Sequence, residues 1–199
     1  MWALIEDNTI TKIINNPKAM VIGDTQYSRN IFSFRWSNAE REAIGLYEVV
    51  FDNSNKKDKK WYINTNQSFA FADDTVTATY GTATAKAHAD ANATDADGVE
   101  LDPVVVIPGL KTNLIKDLKI NVANELARTD WYITRNTEKS TAIPSAITTH
   151  RDLVRTRQAT METQITNASD TPALETLYTH TTTDGVQSRP LGELPRLES

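Results

Sequence analysis

The chain has 199 residues and not one cysteine, so disulfide staples, thiolate nucleophiles and thiolate-ligated metals are excluded. Glycine is scarce, with seven residues that never cluster, so no glycine-rich loop can cradle a phosphate. Gly-x-Ser-x-Gly, the elbow that presents a nucleophilic serine, is also missing. The three histidines, His88, His150 and His180, stand far apart, and none has a second histidine at metal-ligand spacing. No apolar run approaches the roughly 20 residues a bilayer span requires. The start, Met1-Trp2-Ala3-Leu4-Ile5-Glu6-Asp7, lacks the basic opening and long apolar stretch of a signal peptide. The expectation is a protein made in a cytosol and used there, or carried in a particle assembled there. A net charge of −5 removes any whole-chain attraction to nucleic acid or anionic membrane, so neither is expected as a partner. Internal repeats are absent too.

What is present reads as an α+β chain in four parts. Residues 1–82 form a β-rich module. Trp2-Ala3-Leu4-Ile5 and Thr9-Ile10-Thr11-Lys12-Ile13-Ile14 are β-prone runs joined by the turn chemistry of Glu6-Asp7-Asn8. Ala19 to Ile22 runs into a Gly23-Asp24 turn, and Ile31 to Trp36 is a further candidate strand. Ser37-Asn38-Ala39-Glu40 has capping-box spacing and opens one short helix over 38–44, with Gly45 where a helix C-cap falls. A strand follows from Leu46 to Phe51. Phe69-Ala70-Phe71 and Val76-Thr77-Ala78-Thr79-Tyr80 flank Asp73-Asp74 as a second hairpin, its alternating threonines suiting a strand with one wet face.

Residues 83–108 read as a linker. Alanine, aspartate, threonine and asparagine dominate, and Pro103 and Pro108 disfavour helix just before them. Val104-Val105-Val106-Ile107 is its one apolar patch and reads as a docking strand. Over 109–180 the period becomes helical: Leu114, Leu118, Val122 and Leu126 recur every four residues. Ser145 is the expected N-cap of a second helix with the stripe Ile147, Val154, Met161 and Ala168, and Ile165 beside it. Thr171 and Pro172 open a third, shorter helix whose apolar side is Leu174, Leu177 and Tyr178. These helices make a hairpin or small bundle. Residues 181–199 are polar, carry an Asp184-Gly185 turn and two prolines, and are expected to lie as an extended tail.

Candidate chemistry is thin. Asp95-Ala96-Asp97-Gly98 has a calcium-loop flavour, but with Gly98 as the sixth position the first and twelfth fall on Ala93 and Val104, which carry no carboxylate. An acidic flexible segment is the better reading. Lys56-Lys57-Asp58-Lys59-Lys60 beside Trp61-Tyr62 has the look of a nucleic-acid surface, yet the run is short and the chain acidic, so a solvated loop is preferred. His150 lies next to an apolar stripe and reads as a packing histidine. Trp131 and Tyr132 read in two ways: a plug closing the helical hairpin, favoured because large aromatics usually serve cores, or an exposed docking pair. No catalytic, cofactor-binding or metal-ligating residue is assigned. The candidate interaction residues are Trp131, Tyr132, Ile147, Val154 and Met161.

The N-terminal part resembles a small module of bacteriophage tail-fibre-associated and tail-assembly proteins. That likeness is carried by Trp2-Ala3-Leu4-Ile5-Glu6, Pro17, Ile22-Gly23-Asp24, Glu42-Ala43-Ile44-Gly45-Leu46-Tyr47-Glu48-Val49-Val50 and the Phe69–Tyr80 hairpin. The C-terminal part is similar to a helical tail-assembly-chaperone-like segment, through Leu126-Ala127-Arg128-Thr129-Asp130-Trp131-Tyr132, Ala142-Ile143-Pro144 and His150-Arg151-Asp152-Leu153-Val154-Arg155. Leu177-Tyr178 and Arg189-Pro190-Leu191 resemble the ending of tail proteins from marine phages. The resemblance implies a non-enzymatic virion protein of the tail, a fibre or adaptor component assembled in the host cytoplasm. Its implied partners are other tail proteins and further copies of itself. The alternative it implies is a tail-fibre assembly chaperone absent from the mature particle. A tail-borne glycan hydrolase is disfavoured, because the long repetitive solenoid usual in such enzymes is missing.

Overall fold

Two paired turns set the first half of the molecule. In the computed structural model, which describes residues 1–197, β1 (Trp2–Glu6) and β2 (Thr9–Ile14) are antiparallel. The two residues between them, Asp7 and Asn8, both take positive φ (49° and 62°), as a tight hairpin turn matched to strand twist demands. Aspartate and asparagine tolerate this region better than other side-chain-bearing residues. β3 (Met20–Ile22) and β4 (Thr25–Tyr27) form a second, smaller hairpin across Gly23-Asp24. A short 3-10 helix, Arg29–Phe32, comes next, then α1 (Asn38–Glu42) and β5 (Leu46–Asp52). β6 (Tyr62–Ile63), β7 (Gln67–Ala72) and β8 (Thr75–Tyr80) complete the region, with Asp73 and Asp74 at positive φ in the β7–β8 turn.

The main sheet has five strands in the order β2-β1-β5-β8-β7. All neighbours are antiparallel except β5 and β8, which run parallel. Ala3, Ile5, Val49, Val76 and Ala78 line one face, with Tyr47, Phe69 and Phe71 against them. Ile14, Ile31 and Leu46 form a second core, covered by Trp2, Met20, Ile22, Tyr27, Phe32 and Trp36. The threonines of β8 alternate with its buried Val76 and Ala78, as expected from the sequence.

Ile31 to Trp36 is not a strand. Ser28 accepts a bond from the Asn30 amide and starts the 3-10 turn. Arg41, in the last turn of α1, takes carbonyls that strand pairing would have used: its Nε donates to Ile31 O at 2.8 Å and its Nη2 to Ser33 O, which also accepts the Trp36 amide. The expected capping box is present, with Ser37 accepting from the Glu40 amide and Glu40 accepting from the Ser37 amide at 2.7 Å.

The chain divides into two compact units at Thr84/Ala85, two residues beyond the boundary read from the sequence. β9 (Thr84–Ala85) lies at that boundary. The second unit starts with the segment read as a linker, which is structured. β10 (Ala91–Asn92) pairs with β11 (Val106–Ile107), and Asp90 closes the base by accepting the Gly109 amide (2.8 Å) and the Thr112 hydroxyl (2.9 Å). The helices are α2 (Leu110–Ala127), α3 (Asp130–Lys139), α4 (Ser145–Asn167) and α5 (Thr171–Tyr178). α2 and α4 are antiparallel. Lys111, at the start of α2, bonds the Thr166 carbonyl at the end of α4, and Glu125, late in α2, meets His150 early in α4. Their buried faces are Leu114, Leu118 and Val122 on one side and Ile147, Val154, Met161 and Ile165 on the other.

Both expected caps shift by one residue. Pro144 is the N-cap of α4, its carbonyl taking the Ile147 and Thr148 amides, so Ser145 is the first helical residue. Asp170, a stronger acceptor than threonine, caps α5 through the Ala173 amide, which leaves Thr171 free to bond the Lys86 carbonyl at 2.6 Å. Nor is the C-terminal segment a bare extended tail. β12 (Thr181–Thr183) and β13 (Val186–Ser188) form a hairpin around Asp184-Gly185, both at positive φ. Beyond it Leu191 is fully buried, its amide bonded to Leu177 O and its carbonyl to the Arg157 guanidinium. Of that expected tail, 198–199 lie outside the described residues.

Candidate interaction surface

α3 positions the aromatic pair, and nothing in the apolar periodicity announces that helix, because none of its residues is buried. What supports it is charge. Asp130 occupies its first turn and Lys139 its last, each favourable to the helix dipole. Ser140 at φ 52° then ends it, and the Asn136 side chain caps back onto Thr141 O.

The junction between α2 and α3 is pinned from α4. Arg151 Nη1 lies 2.8 Å from Leu126 O, Thr129 Oγ1 and Asp130 Oδ1, and this arginine is itself largely buried. Thr129 is 1% exposed and donates its hydroxyl to Leu126 O. The first turn of α3 is therefore held by a charge-assisted cluster rather than by apolar packing.

Trp131 leaves this anchored turn and is 51% exposed, so it does not plug the hairpin end. Its ring lies 3.8 Å, centroid to centroid, from the half-buried Tyr132, and the Arg135 guanidinium sits 5.1 Å from its centroid. Ile133 is also exposed. The outcome is a rigidly mounted, half-bare aromatic with an arginine on its face. By contrast, Ile147, Val154 and Met161 are buried on α4. They belong to the core of the helical unit and cannot also be a surface for a partner, which corrects their reading as interaction residues.

His150 is buried, and its Nε2 lies 3.1 Å from Glu125 Oε1. Burial alone would push the Glu125 carboxyl upward. Hydrogen bonding and charge from Arg128, the His150 contact and the Leu197 amide outweigh burial and leave it below the ordinary glutamate range. This is a structural hydrogen-bonded cluster joining α2 and α4. Among the described residues no group of three or more His, Asp or Glu side chains is placed to hold a metal ion. Asp95 Oδ1 instead accepts the Asp97 and Val99 amides, both at 2.9 Å, which makes a turn. In the basic loop, Trp61 is 3% exposed and therefore offers no face for a base, and Asn64 ties the loop by exchanging two bonds with the Lys57 backbone.

No family model matches the chain, and neither a curated protein nor a solved structure does. No helix is long and apolar enough to cross a membrane among the described residues.

Proposed function

We propose that this chain is a non-enzymatic structural protein of a phage tail, a fibre or adaptor component that works through protein–protein contacts. The observation that carries the reading is the α3 surface: a half-exposed Trp131 backed by Tyr132 and Arg135, on a turn fixed by Arg151. Tryptophan, tyrosine and arginine are the residue types that dominate binding energy at interfaces. A ring held in place before binding loses little entropy when a partner covers it. The resemblance of the Leu126–Tyr132 segment to tail-assembly proteins falls on the same turn. Two separately packed units also suit a bridge between particle components.

Quantitative mass spectrometry of gradient-purified particles of the encoding phage tests the reading. A structural component is expected at a fixed ratio of several copies per particle. Presence in infected-cell lysate together with absence from particles would overturn it in favour of an assembly chaperone.

A further inference from the structure

Residues 91–107 form an arm that packs on almost nothing. It is held in shape by its own backbone: β10 pairs with β11, the Ala93 amide bonds Val105 O at 2.7 Å, the Leu101 amide bonds Ala93 O at 3.1 Å, and Thr94 bridges Glu100. Every residue of the arm except Ala93 is exposed. Val104, Val105, Val106 and Ile107 are 50–57% bare, and Val99 and Leu101 add to the same segment. Six apolar side chains this close in sequence and this exposed mark a surface that another molecule covers. β10 and β11 are also a two-stranded sheet with open edges.

The charge of the arm narrows what that molecule is. Asp95, Asp97, Glu100 and Asp102 are its charged residues, and it has no lysine or arginine. Two arms laid against each other would bring like charges together, so an arm-to-arm contact is disfavoured. A complementary surface lies on the same chain. The outer face of α2, opposite its buried Leu114, Leu118 and Val122, carries a shallow, open groove between its own side chains Thr112, Ile115, Lys116, Lys119, Ile120 and Ala123. Its floor is apolar, Ile120 being half exposed, and its rim is basic. Lys119 pairs with Glu162 only at a long 3.9 Å, and its side chain remains mostly exposed. The arm's root is tied to the first turn of α2: Leu110 and Lys111 amides bond Ala87 O and His88 O, and Asp90 bonds Gly109 and Thr112. In that position both the arm and the groove of one chain stay uncovered.

We propose that the acidic, apolar arm of one copy docks into the lysine-rimmed groove on α2 of a second copy. The contact is heterologous, so it closes into a ring where the rotation permits and runs on where it does not. The proposal stands independently of the tail reading, since a self-associating chain need not be a virion protein.

Sedimentation velocity of the full chain over a concentration series, in low and high salt, tests it with two double variants. Val105→Asp with Ile107→Asp spoils the arm; Lys116→Glu with Lys119→Glu spoils the groove. All four positions are exposed, and circular-dichroism melts check that each variant folds as the parent does. The parent chain is expected to associate with rising concentration, less so in high salt, and each variant alone is expected to stay monomeric. An equimolar mixture is expected to stop at a one-to-one heterodimer, because one intact arm then meets one intact groove. A parent chain that stays monomeric at several hundred micromolar overturns the proposal and assigns the arm to a different protein or to its own groove. Variants that associate like the parent, or a mixture that stays monomeric, overturn it as well.

Discussion

Arg41 is the one strongly charged residue buried in the first unit, and its replacement should be among the most damaging single changes there. Its guanidinium donates to Ile31 O and Asn38 Oδ1 at 2.8 and 2.9 Å and to Ser33 O, and its carbon lies 4.8 Å from the centre of the Trp2 ring. Arg41→Met keeps the length and apolar stem but removes every donor. Bonds from a charged donor contribute about 1.5–3 kcal/mol each. Against that, methionine avoids the several kcal/mol needed to strip water from a buried charge. The Ile31 carbonyl loses this donor and the Ser33 carbonyl keeps only the Trp36 amide at 3.2 Å, which tilts the balance, and a net loss of about 2–4 kcal/mol is expected. For a unit of this size about 1 kcal/mol moves the melting point by about 4–8 °C, so a drop of about 8–32 °C is expected. Arg41→Lys, which retains the charge but not the planar fork, should fall between. Thermal and urea unfolding followed by tryptophan emission reads this directly, since Trp2, Trp36 and Trp61 all lie in this unit. A stability within about 0.5 kcal/mol of the parent would refute the idea that Arg41 holds the 3-10 turn in place of a strand.

Other outcomes follow from the same physics. Gly45→Ala should cost about 2–3 kcal/mol by urea unfolding, because the position needs φ +77° and an added Cβ would lie 2.4 Å from the Ile5 carbonyl oxygen. Met161→Ala should cost about 2–5 kcal/mol as a cavity in the helical core, whereas Trp131→Ala should shift stability by less than about 0.5 kcal/mol; denaturant melts of the pair separate core from surface. The lowered Glu125 carboxyl favours the folded state at pH values above its unfolded pKa, and that contribution is lost as pH falls through the lower folded value. A melting-temperature series from neutral to acid should therefore decline below the ordinary glutamate range, and Glu125→Gln should flatten the decline.

Where local chemistry decides a structure, this sequence is readable. Asp7-Asn8 and Asp73-Asp74 announce their turns because few residues tolerate two consecutive positive φ values; β-prone runs mark the strands beside the first turn, and alternation marks those beside the second. Ser37 and Glu40 announce α1 for a similar reason. The failures occur where a polar side chain, not an apolar one, does the packing. Arg41 sits in a helix of charged residues, and no hydrophobicity pattern marks it as buried or marks the carbonyls at Ile31 and Ser33 as its acceptors. α3 has no apolar stripe because Arg151, twenty-one residues from Asp130, supplies its anchorage. That same blindness governs the candidate surface. Periodicity found Ile147, Val154 and Met161 as a stripe but could not tell whether the stripe faced the chain or a partner. It also could not show that Trp131 would be carried outward.

How apolar surface is distributed argues more strongly than its amount. Small units cannot bury all their hydrophobic residues, so isolated bare side chains such as Phe34, Val50 or Ile63 need no explanation. Val104 to Ile107 is a different case. These residues are consecutive and each is at least half bare, Val106 and Ile107 on β11 and Val104 and Val105 leading into it, so they make one continuous apolar stretch rather than scattered exposed side chains. A chain selected only to fold would replace two of them with threonine or lysine at no structural cost, since no core depends on them. Keeping four branched apolar residues between Pro103 and Pro108, two of them on a strand with an open edge and with carboxylates as the arm's only charges, carries a standing risk of aggregation. That risk is tolerable if a specific partner covers the strand, and the acidic flanks bias the choice toward a basic rim. The groove along α2 meets both conditions with residues of this chain alone.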